Sequence, residues 1–277
     1  MAFCILDYSK IILMKFKVFL CLFLFSFSAF YAQEDVVKLL HRNPEFKNNQ
    51  NAFLFADKVK LRQEPNTGST VLELLSIASE ITVLEKSPTT FLFNGLDWNW
   101  YKVKYQNKTG YIVGGLIALD KQTVASTTYL VTLKKKGEED LILIRMLDEN
   151  KQYIEYEGDY HTDHAFSITA LKNKGVPNVK NILYVDYHAE ACGVNGGGYY
   201  LFNNGERLTK AVDLYSMSEA GLFSVTESVV FPEDAKGVKN KITLVREHTT
   251  TDEDSQKTET SIASKAYAWE GKELKLE

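Results

Sequence analysis

Cysteine is scarce. The 277 residues hold three: Cys4, Cys21 and Cys192. The first two lie in a leader expected to be removed, so the remaining chain has one thiol and can form no internal disulfide. Its fold must rest on apolar burial. An excess of positive charge is also missing, with a formal net charge of −4. An acidic chain is a poor partner for nucleic acid or an anionic membrane, and neither is expected as a ligand. Helical periodicity is rare. No internal repeat is visible, which argues against a complete propeller. The apolar run from Val18 to Phe27, broken only by Ser26, falls short of the roughly 20 residues a membrane-spanning helix needs.

That run reads differently with its flanks. Met14-Lys15-Phe16-Lys17 before it is positive, and Ser28-Ala29-Phe30-Tyr31-Ala32-Gln33 after it offers small residues for cleavage. The pattern predicts a secretory signal peptide over residues 1–32, with Met14 as the expected true start. Leu20 stands before Cys21 where lipoprotein processing needs a small residue, so lipidation is not expected. Cleavage after Ala32 removes three lysines and one aspartate, taking the charge from −4 to −6. The expected location is outside the cytoplasm: periplasm, outer surface or secreted. No transmembrane segment remains after cleavage.

Residues 33–52 are expected to hold one short N-terminal helix and a linker. Glu34 to Arg42 places acids in a first turn and bases in a last, which suits the helix dipole. Pro44 ends it, and Asn48-Asn49-Gln50-Asn51 is polar.

The most informative stretch runs from Asp97 to Ile117. From Trp100 onward, one face carries Trp100, Lys102 and Lys104, and the other Tyr101, Val103 and Tyr105, the period of two of a strand. Asn107-Lys108 predicts a tight turn, because Asn tolerates positive φ. Upstream, Val59, Leu61, Val71, Leu72, Leu74, Leu75, Ile81, Val83 and Leu84 recur in short runs punctuated by Pro65-Asn66-Thr67-Gly68 and Ser87-Pro88. Short strands with turn signals predict a small barrel over residues 53–119.

Three motifs in this segment resemble the bacterial SH3-like (SH3b) family. They are Val59-Lys60-Leu61-Arg62 leading to Pro65-Asn66-Thr67-Gly68-Ser69, the strand Leu75 to Leu84, and Trp100-Tyr101-Lys102-Val103 with Thr109-Gly110-Tyr111-Ile112. Ala78 and Asn107 stand where that family has glycine, and both positions are expected to need an unusual backbone angle. The resemblance implies a binding module that docks a peptide, a peptidoglycan-type ligand or an envelope protein partner. Phe93, Trp98, Trp100, Tyr105 and Tyr111 are its candidate ligand-binding residues. Trp100, Tyr101 and Val103 are expected in the core of the small barrel, since aromatics dominate small cores, whereas Trp98 is placed in a loop where binding and packing fit equally. The groove is expected between the Phe91–Trp98 loop and the Gly110–Gly115 turn.

After a boundary at Asp120-Lys121-Gln122-Thr123, residues 124–277 read as a larger antiparallel β meander: a sandwich, an open barrel or a propeller-like domain. Strands are predicted at 128–135, 140–147, 152–156, 165–171, 181–188, 198–202, 209–215, 222–231, 241–247 and 261–269. Asn203-Asn204-Gly205 is a hairpin signal. Thr249 to Thr260 reads as a long, mobile hairpin tip.

Two constellations could carry chemistry. Cys192, four residues after His188, raises a Cys-His nucleophile, yet a glycine run follows where such enzymes place a helix. His161, Asp163 and His164 supply metal-ligand types but not a complete zinc set, so no metal is expected. Gly196-Gly197-Gly198 lacks the lysine and helix of a phosphate loop, and no cofactor is expected. The reading is therefore mainly β, with an SH3-like barrel before a larger β domain. It describes an exported, non-catalytic binding or scaffold protein of the cell envelope. The alternatives are a cell-wall-directed hydrolase with its site in the C-terminal domain, using Cys192 or the His-Asp-His group, and a purely structural surface protein.

Overall fold

A computed structural model describes residues 37–161, 164–189 and 191–277. The proposed signal peptide lies outside these residues. Lys38–Glu277 forms one compact unit, built almost wholly from antiparallel strands. Among the described residues, no helix is long and apolar enough to cross a membrane.

The first sheet comprises β1 (Asn51–Phe53), β2 (Val59–Arg62), β3 (Val71–Leu75), β4 (Glu80–Phe93), β5 (Leu96–Tyr105) and β6 (Lys108–Val113). Its strand order is β1-β4-β5-β6-β2-β3. Val59, Leu61 and Leu75 near one edge share a core with Ile81, Val83, Val103 and Ile112 from its middle. This shared interior curls the sheet into the expected small barrel. A 3-10 turn at Gly114–Leu116 leads the chain out. The β5–β6 hairpin turns through Gln106-Asn107, one residue earlier than expected. Positive φ falls on Gln106 (52°), while Ala78 does adopt the glycine-like angle anticipated for it, at 59°.

The second sheet, in the order β10-β9-β8-β7, joins β7 (Asp120–Val124), β8 (Thr127–Lys136), β9 (Glu139–Leu147) and β10 (Tyr153–Asp159). Residues Asp120–Thr123, read as a boundary, are thus an edge strand. The third sheet is an eight-stranded meander. It runs in order through β11 (Ala165–Lys172), β12 (Asn181–His188), β13 (Gly196–Asn203), β14 (Leu208–Glu219), β15 (Phe223–Val230), β16 (Ile242–Thr251), β17 (Thr258–Trp269) and β18 (Leu274–Leu276).

The middle sheet is covered on both faces. Leu130, Leu143 and Leu147 point one way and pack with Phe55 and Ile77 of the barrel. Tyr129, Val131, Leu133, Ile142, Ile144 and Met146 share the other face and join Phe166, Ile168, Leu183, Val185 and Leu201 of the meander. Five consecutive residues of β8, Tyr129 to Leu133, are consequently buried, a run that only a doubly covered strand shows. A smaller core of Val176, Val179, Ile182, Phe202, Phe231, Ile242 and Trp269 closes the far side of the meander.

Two further expectations fail. Residues 37–42 are not helical. Leu40, 4 % exposed, forms an isolated antiparallel bridge with Phe166, with backbone N···O distances of 2.8 and 2.9 Å in the two directions. So short a helix is marginal alone, and burying Leu40 beside an open strand edge outweighs the dipole pattern. The rest of the proposed helix, Glu34–Val36, lies outside the described residues. Nor is Thr249 to Thr260 a long tip. The ladder continues to Thr251 opposite Thr258, leaving a six-residue turn.

Gln106 is exposed and held at positive φ. Gln106→Gly is expected to raise unfolding stability by about 0.5–1 kcal/mol, read by urea denaturation, because glycine adopts this angle without a Cβ penalty.

Candidate functional site

The aromatic residues of the barrel do not form one exposed patch. Trp98 lies in strand β5 rather than in a loop, because β4 runs as far as Phe93 and leaves Asn94-Gly95 as the whole turn. Trp98 is 5 % exposed, Trp100 3 % and Tyr101 2 %. The Trp98 indole N–H donates to the Phe93 carbonyl at 3.2 Å. Trp100 meets Phe91 edge-on at 6.2 Å between centroids, and Tyr101 meets Phe46 at 5.2 Å. Tyr105 and Tyr111 are half-buried and pack against the same core. Their register places them on opposite sides of the sheet: Tyr111 pairs with Lys102, on the Trp100 face, and Tyr105 with Lys108, on the Tyr101 face.

The groove expected between the Phe91–Trp98 segment and the Gly110–Gly115 turn is filled. A Cβ placed on Gly115 would stand 2.7 Å from the Trp98 indole nitrogen and 2.8 Å from the Phe93 ring. Phe93 and Trp98 therefore meet, but as packing beneath a glycine.

A cleft of about 500 Å³ opens elsewhere on the hairpin, lined by Arg42–Glu45, Gly95–Asn99, Tyr101 and Lys135. Three elements build it. The β4–β5 turn rests on β8, where the Lys135 N–H donates to the Asn94 carbonyl at 2.8 Å. Gly95 permits that contact: its φ is +76°, and a Cβ would lie 2.4 Å from the Lys135 carbonyl oxygen. The arm Arg42–Glu45 is fixed by Arg42 to Asp140 at 3.1 Å and by a Glu45–Lys86 ion pair. Asn99 donates to the Ser87 carbonyl at 3.0 Å. Arg42 and Glu45 are thus neutralised. Asp97 and Lys135 have no ion-pair partner among the described residues, leaving the cleft one free charge of each sign. Sequence reasoning missed Asp97, Asn99 and Lys135. The available signal was polar residues alternating with Trp98 and Trp100.

A second hollow of about 250 Å³ lies over the meander, among Asp159, His161, Tyr187, Tyr199, Lys210, Asp213 and Glu227. In register, Gly197 stands between Tyr187 and Tyr215 across the neighbouring strands. Lys210 bridges Asp159 at 3.1 Å and Asp213 at 2.6 Å, above the Tyr199 ring. The Tyr199 hydroxyl is buried and has no hydrogen-bond partner among the described residues. Burial pushes the Tyr199 and Tyr187 phenols above their ordinary value.

The catalytic alternatives do not assemble among the described residues. Cys192 is exposed, and its thiol has no hydrogen bond among the described residues. His188 instead shares its Nε2 with the Ser167 hydroxyl at 2.9 Å, and Asp186 stands 3.7 Å from that same nitrogen. A Ser-His-Asp relay needs the carboxylate on the other ring nitrogen, and Ser167 is only 3 % exposed. The His161 and His164 rings lie 6.0 Å apart, and both border Tyr187. Asp163 lies outside the described residues. No group of three metal-ligating side chains converges among those described.

Three outcomes follow for these aromatics. Trp98→Ala is expected to lower unfolding stability by about 3–5 kcal/mol in urea melts, the cost of truncating a buried aromatic. Tyr199→Phe is expected to be neutral or stabilising by up to about 1 kcal/mol, since it removes a buried unpaired hydroxyl. With phenol pKa values raised by folding, the buried tyrosines favour the protonated state. Their contribution is complete below pH 10.0, the ordinary value, and is lost as pH rises beyond it. Tyrosinate absorbance from them should therefore appear together with alkaline unfolding.

Searches of curated proteins and of solved structures return no match to the chain. The comparison that does succeed covers the barrel: residues 57–118 match the family described as "Bacterial SH3 domain", which identifies this segment as a bacterial SH3-like module.

Proposed function

We propose that the protein is an exported, non-catalytic binding or scaffold component of the cell envelope, whose SH3-like module docks a peptide or peptidoglycan-type ligand. Export rests on the leader pattern of residues 14–33. The binding role rests on the family match over residues 57–118. The observation that carries the choice of site is the cleft beside the β4–β5 turn, with Asp97 and Lys135 unpaired. A short peptide carries the same two charges, a free amine and a carboxylate, and a cleft of about 500 Å³ has room for a few residues. Its walls are preformed, so little ordering entropy opposes binding.

Co-sedimentation with purified peptidoglycan tests the reading. The parent protein is expected to pellet. Asp97→Lys and Lys135→Glu should each pellet about five- to tenfold less, the loss expected from one charge-assisted contact, while keeping the parental melting temperature. A parent that stays in solution, or variants that pellet as it does, would remove the proposal.

A further inference from the structure

Strand β17 is an open edge of unusual length. On one side it pairs with β16 throughout Thr258–Tyr267. On the other, β18 covers only Tyr267–Trp269, and the Glu277 N–H reaches the Ala266 carbonyl at 3.1 Å. Residues 258–265 have no strand partner on that side among the described residues. Strand alternation tells which groups face out. The Ala266 carbonyl points to the β18 side, so the backbone N–H and C=O of Ser264, Ile262, Thr260 and Thr258 do so too. Ile262, at the centre of this run, is 67 % exposed, the highest value for any large apolar side chain among those described. Folded proteins usually shorten, bulge or cover such an edge.

The sequence along the edge is self-complementary. We propose that β17 pairs antiparallel with β17 of a second copy of this chain, about a two-fold axis through Ile262. In that register Ile262 meets Ile262 as a hydrogen-bonded pair. Thr260 faces Ser264, and Glu259 faces Lys265 twice, once on each side of the axis. The Glu259–Lys265 positions are non-hydrogen-bonded pairs, where side chains stand closest. Lys265 makes no ion pair within its own chain among the described residues. Glu259 holds only Lys257, at 2.6 Å and with both side chains 70 % exposed, an attachment readily exchanged. Sliding the register so that the axis passes through Ser261 would set Lys257 against Lys265. Sliding it the other way drives the pairing into β18. Charge and the end of the free edge therefore select one register. The contact is closed and isologous, and it consumes the exposed edge of both copies. Its area is that of one strand pair, so association is weak and concentration-dependent.

Sedimentation velocity on the full chain, across about a hundredfold range of concentration, tests this. The parent is expected to move from monomer to dimer and no further. Glu259→Lys and Lys265→Glu each set like charges opposite one another twice, and each is expected to weaken dimerisation about tenfold. Combined in one chain, the two changes restore opposite charges and should return the dimer to within about twofold of the parent. Both sites are exposed, so melting temperatures should not move. A parent that is monomeric throughout overturns the proposal. So does a dimer indifferent to the single changes, or a double variant no better than the singles.

Discussion

The structure depends on the double covering of one four-stranded sheet. β8 and β9 carry apolar residues on both faces, and each face needs its own cover. The SH3-like barrel supplies one through Phe55 and Ile77. The first strands of the meander supply the other through Phe166, Leu183 and Leu201. Polar groups are built into the same contact. Tyr129 donates to Asn181, Asn203 donates to Asn181 at 2.9 Å, and Asn181 donates to Thr127 at 3.0 Å. A satisfied buried network of this kind fixes how β8 lies on β12 and β13. On the barrel side Arg145 plays the corresponding part: it donates to the Phe55 carbonyl at 2.9 Å while lying over the Phe55 ring.

That arrangement decides what the barrel can offer a ligand. Its large aromatics are consumed as packing, as expected where a small sheet must build an interior from few residues. The cleft that remains is lined largely by polar groups and lies where the barrel meets its neighbours. The cleft takes one wall from the β4–β5 turn, one from the arm before the barrel and one from β8. No single element contains it, and an isolated barrel would lack two of its walls.

The meander shows how little composition says about chemistry without geometry. Serine, histidine and aspartate stand together at Ser167, His188 and Asp186, yet both oxygen groups address one ring nitrogen. Cys192 follows His188 closely in sequence, yet His188 is engaged with Ser167. The strands β15 to β17 extend beyond the covered part of the sheet, and β17 is exposed along Thr258–Lys265.

The sequence by itself determined most of the strands and the barrel. Alternation and turn residues located all ten predicted strands of the C-terminal part, and Trp100-Tyr101-Lys102-Val103 with Gly110 marked the module. These features are legible because they follow from local sterics and a period of two. Tertiary structure alone decided the rest. It drew Leu40 out of a helical pattern into a bridge, and made a strand of polar Asp120–Val124 by offering β8 as a template. It also buried Trp98 beneath Gly115 and brought Asp97 and Lys135 into the lining of one cleft. Each of these outcomes depends on which distant surface arrives to cover a residue, and a local pattern carries no record of that.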